Sequence, residues 1–277
     1  MRSFLATLIA TALACQSCEL APGPMLGQGD DEVAVTRFDR IQTLYLTTGD
    51  FAALQQMSIG YPRQTRVLIE DVLRIGSVYD PEINSKFLNY YQDSTLQNHI
   101  FAVEHEFVNM DDVNAELRRG FRSLRAMLPG LDVPEIYAQV GSLDQSVVVG
   151  DGLLGISLDK YLGPQNPVYQ SPRYGYTADQ LAQMDRRYIA ADCLGFYLLS
   201  LYPMPDGRQV TQAQRDLHIA KIQWVVNRAL EREVFDTPGT RAVARYMKRH
   251  QRMTVHQLLG QPEGVIDIAT PGARVKS

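Results

Sequence analysis

The chain has 277 residues, 45% hydrophobic and 21% charged, with a formal net charge of -4. This is globular composition with ample length for a core, and the lack of a long Lys/Arg run argues against nucleic-acid binding, which needs clustered cations to neutralise phosphate. Only three cysteines occur, and Cys15 and Cys18 stand close together near the start, so a disulfide framework is not expected.

Met1-Arg2 is a short positive start, and Phe4 to Ala14 is apolar. At about eleven residues it is too short for a membrane span and suits a secretory signal peptide over residues 1–14. Ala12-Leu13-Ala14-Cys15 resembles a bacterial lipobox, with Ala12 where Leu is commonest. Cys15 is therefore expected to carry lipid, and several acyl chains on one residue suffice for stable anchoring. The alternative is a plain secretory peptide cut after Ala14. Residues 15–36 read as lipid attachment and tether, rich in Pro, Gly and acids. A globular domain is expected over 37–262 and a loosely ordered tail over 263–277.

Thr36 to Leu46 is mixed, with Phe38, Ile41, Leu44 and Tyr45 able to pack on the domain. Pro62 suits a first helical position and Gly76 a helix end, with Val67, Leu68, Val72, Leu73 and Ile75 forming the apolar side. Ile83 to Tyr91 predicts another helix, and Ser94 is placed to cap the next, whose stripe is Leu96, Ile100, Val103 and Phe107. Asp111 or Asp112 is placed to cap a fourth helix carrying Val113, Leu117, Phe121, Leu124 and Leu128, stopped by Pro129-Gly130. The strand patterns lie between Pro134 and Gly163. Ile136, Ala138 and Val140 alternate as in a half-buried strand, Ser146 to Val149 is β-branched, and Leu153 to Leu158 is apolar. Asp151-Gly152 is a hairpin signal.

After Gly163 comes a loop rich in Tyr and Pro, readable as an interaction surface or as a core cover. Thr177 with Gln180, Thr211 with Gln214, and Thr254 with Gln257 are capping-box pairs, and Thr237-Pro238 starts a further helix. Tyr188 to Tyr202 is nearly all apolar around Asp192 and reads as a buried central helix. The whole predicts an α+β protein, predominantly helical with a small central sheet.

The five histidines are His99, His105, His218, His250 and His256, and none stands in His-Glu-x-x-His, the spacing that places two imidazoles on one helical face for zinc. His105 lies between two glutamates that point elsewhere on a helix, so it reads as a solvated position. Neither Gly-x-Ser-x-Gly nor a phosphate loop occurs. Cys193 in an apolar helix reads as a structural thiol. No metal or cofactor is expected. The residues singled out as binding or turn positions are Asp159, Tyr161, Gly163 and Asp192. Asp159 follows a strand, where it could bind a ligand or accept backbone N–H bonds from its turn; the structural role is favoured. Asp192 needs a partner, such as a loop backbone, Arg186 or Arg187.

The segment Pro134-Glu-Ile-Tyr137, Gly141, Gly155-Ile-Ser-Leu-Asp-Lys-Tyr-Leu-Gly163, Tyr169, Pro172, Tyr174, Tyr188-Ile189 and Asp192 resembles the GldB-type gliding motility-associated lipoproteins of Bacteroidetes-group bacteria. Arg37-Phe38-Asp39, Tyr61-Pro62 and Ile75-Gly76 match that family's opening, and Pro238-Gly239, Tyr246-Met247, Met253-Thr254 and Leu258-Leu259 its closing helices, so the likeness spans roughly 36–260. Between Pro203 and Thr237 the chain is shorter than the family pattern. The resemblance implies an envelope lipoprotein, held on the periplasmic side of the outer membrane. It also implies protein partners in a gliding or type IX secretion assembly. Further, it implies a distant, degenerate zincin-like fold whose zinc helix would fall near Tyr188 to Leu199, here without histidine. The competing reading is an envelope hydrolase using Asp159, Asp192 or His105.

Overall fold

Helices dominate because apolar stripes at helical spacing need a shared core, and the small sheet supplies its centre. The computed structural model describes residues 33–141, 143–204, 210–262, 264 and 266. The chain begins with α1 (Phe38–Thr48), α2 (Phe51–Gly60) and α3 (Pro62–Arg66), and α3 runs on into a π-helical turn, Val67–Val72. Next come α4 (Ile83–Tyr90), α5 (Ser94–Glu106) and α6 (Asp111–Met127). The strands are β1 (Glu135–Gln139), β2 (Val147–Gly150) and β3 (Leu153–Ser157), followed by a 3-10 turn, Leu158–Lys160. After the Tyr-rich loop stand α7 (Ala178–Gln183), α8 (Ile189–Leu201), α9 (Gln212–Leu230), α10 (Pro238–Arg249) and α11 (Val255–Leu259).

The three expected capping boxes form at Thr177, Thr211 and Thr254, and Thr237 forms another with Thr240. Two caps fall one or two residues before their expected places. Asp93, not Ser94, accepts from the N–H groups of Thr95 and Leu96, and Asn109 accepts from Asp111, whose helix it precedes. The helix expected over Pro62 to Gly76 is continuous only to Arg66. It then widens, with Leu73 bonded back to Leu68 and Ile75 to Ile69. Helix α2 was not anticipated, since its exposed Phe51 and Ile59 blur the stripe.

The sheet has the order β1-β3-β2, with β1 and β3 parallel and β2 and β3 antiparallel. The β2–β3 hairpin turns at Asp151-Gly152, where φ is 49° and 73°. Positive φ at both positions is what a type I′ turn requires. β1 was expected to be half-buried, yet Tyr137 and Gln139 are as buried as Ile136 and Ala138. Both faces are covered. In register, Ile136 and Ala138 share a side with Leu154 and Ile156, while Tyr137 and Gln139 share the other with Gly155 and Ser157. On the Tyr137 side, Phe38 of α1 meets Tyr137 edge-on at 6.0 Å, and Gln64 of α3 bonds Glu135 at 2.6 Å. Helix α8 packs on β2 and β3. Gly155 makes room for the Tyr137 ring, because a Cβ there would lie 2.6 Å from Cζ.

The α+β class stands as expected, mostly helical around a three-stranded mixed sheet. A degenerate zincin-like fold is not supported. Helix α8, which would have carried zinc ligands, instead turns Asp192 toward Tyr161. Among the described residues no group of three or more His, Cys, Asp or Glu side chains could hold a metal ion. None of the described helices is long and apolar enough to cross a membrane.

Candidate functional site

The expected site residues meet at the carboxyl ends of the parallel pair β1 and β3. Here β1 runs on into the stretch Val140 to Leu143, and β3 into the 3-10 turn that carries Asp159. The Asp159 carboxylate is fully buried and reaches back across the sheet end. One oxygen accepts from Gly141 N–H at 2.5 Å and the other from Leu143 N–H at 2.9 Å. Asp159 thus ties a distant loop. Gly141 must be glycine at this approach, since a Cβ would sit 2.8 Å from Ser157 Oγ.

Side chains from several elements hold the same loop. Gln42 of α1 both donates to Val140 C=O (2.7 Å) and accepts from Val140 N–H (2.8 Å), as a strand partner would. The Tyr91 hydroxyl lies within donating distance of Val140 C=O and Gly141 C=O. Lys160 Nζ and the Tyr176 hydroxyl both donate to Leu143 C=O. Leu143 adopts a left-handed φ of 68°, which costs a non-glycine residue about 1–2 kcal/mol and persists where surroundings over-determine it. Its side chain is buried with Tyr169 and Met184. The Tyr-rich loop is therefore a core cover: Tyr169 donates to Asp159 C=O and accepts from Leu162 N–H.

Asp192 of α8 finds Tyr161, whose hydroxyl donates at 2.7 Å. The partners expected for it were a loop backbone, Arg186 or Arg187; both arginines are engaged elsewhere, Arg186 with Asp112 and the carbonyls of Glu106 and Asn109, and Arg187 with Asp185. Gly163 has φ 95° and donates to Met184 C=O at 2.9 Å, closing the turn after the Asp159 segment. Cys15 lies outside the described residues.

Burial governs the electrostatics. It raises the Asp159 carboxyl, while the Gly141 and Leu143 amides and His99 pull the other way. Asp192 is pushed up to about 6 by burial, against the Tyr161 hydrogen bond and the charge of Lys160. Tyr161 and Cys193 are pushed well above their ordinary ranges by burial, with Asp192 adding to both. His99 of α5 is the residue that sequence reasoning passed over. It is 2% exposed, its ring nitrogens have no partner among the described residues, and burial lowers its pKa against the attraction of Asp159. Its signal was present: His99 occupies the Leu96, Ile100, Val103 stripe, where a polar side chain must enter the core. Gln42 and Tyr91 left no such trace. His105 is exposed, as read from its neighbours.

Clefts of about 680, 910, 310 and 550 Å³ open elsewhere among the described residues, and neither Asp159 nor Asp192 forms part of their walls. The arrangement holds backbone loops in place by charge-assisted hydrogen bonds. A family model described as gliding motility protein GldB matches residues 27–233. The chain belongs to the GldB family. The family match takes in the sheet, the Asp159 and Asp192 segments and α1 to α9, and ends before α10 and α11, so the likeness of the closing helices rests on their residues alone. No curated protein and no solved structure matches the chain.

Proposed function

We propose that this GldB-family protein is a lipid-anchored component of the cell envelope that serves gliding motility or type IX secretion by binding other proteins, without catalysis. Cys15 is the lipid-attachment residue, and the globular part is held at the periplasmic side of the outer membrane. The observation that carries the non-catalytic reading is the engagement of the two carboxylates. Asp159 spends both oxygens on backbone amides, and Asp192 accepts the Tyr161 hydroxyl, so each is used in holding loops. A general acid or base must instead reach a substrate proton within hydrogen-bond distance.

The test compares cells carrying wild type with cells carrying Cys15→Ala. The reading expects wild type in the membrane fraction, the variant released, and motility or secretion proteins co-purifying with wild type. If both proteins are soluble and bring down no such partners, the anchored-component reading fails. Stoichiometric zinc in the purified protein would favour the envelope hydrolase instead.

A further inference from the structure

The two edges of the sheet differ. On the β1 side the edge is closed, since Thr36 N–H donates to Ile136 C=O and Ala138 N–H to Thr36 C=O, both at 2.9 Å. On the other side β2 is the last strand. Val148 faces Gly155 in register and Ser157 N–H donates to Ser146 C=O, so Val148 exchanges its bonds with β3. By the alternation of an antiparallel ladder, the N–H and C=O groups of Val147 and Val149 point outward. No backbone group among the described residues bonds them. The edge reads Val-Val-Val-Gly, without the Lys or Pro that usually blunts such a template.

Beside this edge opens a cavity of about 550 Å³, walled by the π-helical turn and by Arg66, Glu70, Asp71, Arg74, Tyr137 and Gln145. Single π-turns often mark functional positions. Tyr137 is fully buried, forms part of this wall, and its hydroxyl has no partner among the described residues. The wall carries both signs of charge. Glu70 already accepts from Ser77 and Val78, and Arg66 lies 3.6 Å from Asp151. A bare anion or cation finds no field of one sign here. The main chain of a polypeptide, neutral and carrying donors and acceptors in alternation, does match the edge.

We propose that the outer edge of β2 and the adjoining cavity take an extended segment of a partner protein as an added strand, with a hydrogen-bond-accepting side chain reaching the Tyr137 hydroxyl. Backbone pairing to Val147 and Val149 supplies affinity and the cavity supplies selectivity. This rests on the reading of the protein as a binding component, but not on its anchor.

The test pans a random-peptide display library against the full-length protein and measures the enriched peptides on wild type, Val149→Pro and Tyr137→Phe. Val149→Pro removes an outward N–H and leaves the β3 pairing of Val148 intact, as an edge strand tolerates. The expected result is enrichment of peptides with strand-forming residues. Their binding should weaken about tenfold in Val149→Pro, for one lost main-chain bond, and severalfold in Tyr137→Phe. Hydrogen exchange on wild type gives a second reading that needs no variant: the amide of Val149, which is only half-buried, should exchange freely alone and slow when peptide binds. The proposal is overturned if no peptide is enriched or if the Pro variant, folded, binds equally well. It is equally overturned if the Val149 amide is already protected in the free protein, because the chain itself or a second copy then fills the edge. Its failure would leave the Cys15 fractionation result untouched, so the two readings fail separately.

Discussion

The carboxyl end of the β1–β3 pair and the outer edge of β2 are both polar regions of one small sheet, yet they treat polar groups in opposite ways. At the carboxyl end, Asp159, Gln42, Tyr91, Lys160 and Tyr176 converge on one loop and bond its backbone. At the β2 edge, backbone groups and the Tyr137 hydroxyl are left open among the described residues. A buried polar group costs free energy unless it is bonded, so the first arrangement is one of support. The second has unfilled bonding capacity beside a cavity, which is the property of a binding surface. The buried carboxylate of Asp159 is thus accounted for by support, and the proposed binding surface lies at the valine edge.

Five substitutions break or sharpen this contrast. Asp159→Ala has the largest expected effect. It leaves the Gly141 and Leu143 amides buried without an acceptor and the left-handed Leu143 unsupported, at a cost of about 3–5 kcal/mol in urea unfolding. A loss below about 1 kcal/mol would mean that the loop does not depend on this carboxylate.

Asp192→Asn tests the raised acid through pH. The folded protein holds Asp192 near a pKa of about 6 against an ordinary 3.8, so between these values the folded state binds more protons than the unfolded. Stability contributed by this group is therefore present below the lower value, falls as pH rises through the window, and is level above it. Asn keeps an acceptor for Tyr161 and removes the titration. Relative to wild type the variant should gain up to about 3 kcal/mol between pH 4 and pH 7, measured by thermal or urea unfolding across that range. Asp159 titrates in the same sense and His99 in the opposite one, but both are common to the two proteins, so their difference isolates Asp192. An equal effect at both ends of the range would show that Asp192 is not raised.

Gly155→Ala drives a methyl group into the Tyr137 ring and should cost about 1–3 kcal/mol. Tyr137→Leu should partly suppress it, giving a measurable coupling in a double-mutant cycle. The smallest effect belongs to Tyr137→Phe, which removes an unpartnered hydroxyl and should change stability by no more than about 0.5 kcal/mol. Together with severalfold weaker peptide binding, that would separate the edge from the support: one tolerates deletion of a polar atom and the other does not.

The legible parts of the chain were those written in local periodicity. Val113, Leu117, Phe121, Leu124 and Leu128 are buried as their spacing required, and the Thr177, Thr211 and Thr254 caps lie where a hydroxyl precedes Gln by three positions. Asp151-Gly152 turned the expected hairpin. Asp159 was read as an acceptor of backbone N–H bonds from its own turn; its donors lie back at Gly141 and Leu143, which no local rule could name. The Asp192 partner was sought in a loop backbone or the nearby Arg186 and Arg187, and proved to be Tyr161, 31 residues away.

By itself, then, the sequence determined the helical stripes, caps, hairpin and family, because each depends on side chains a few positions apart or on a run of residues that can be compared directly. Only the tertiary structure decided which face of β1 was covered, that His99 lies buried near Asp159, and that β2 rather than β1 is left with an open edge. Those outcomes depend on strand order and on contacts between distant segments, where the free energy of burial and hydrogen bonding selects partners without regard to their separation along the chain.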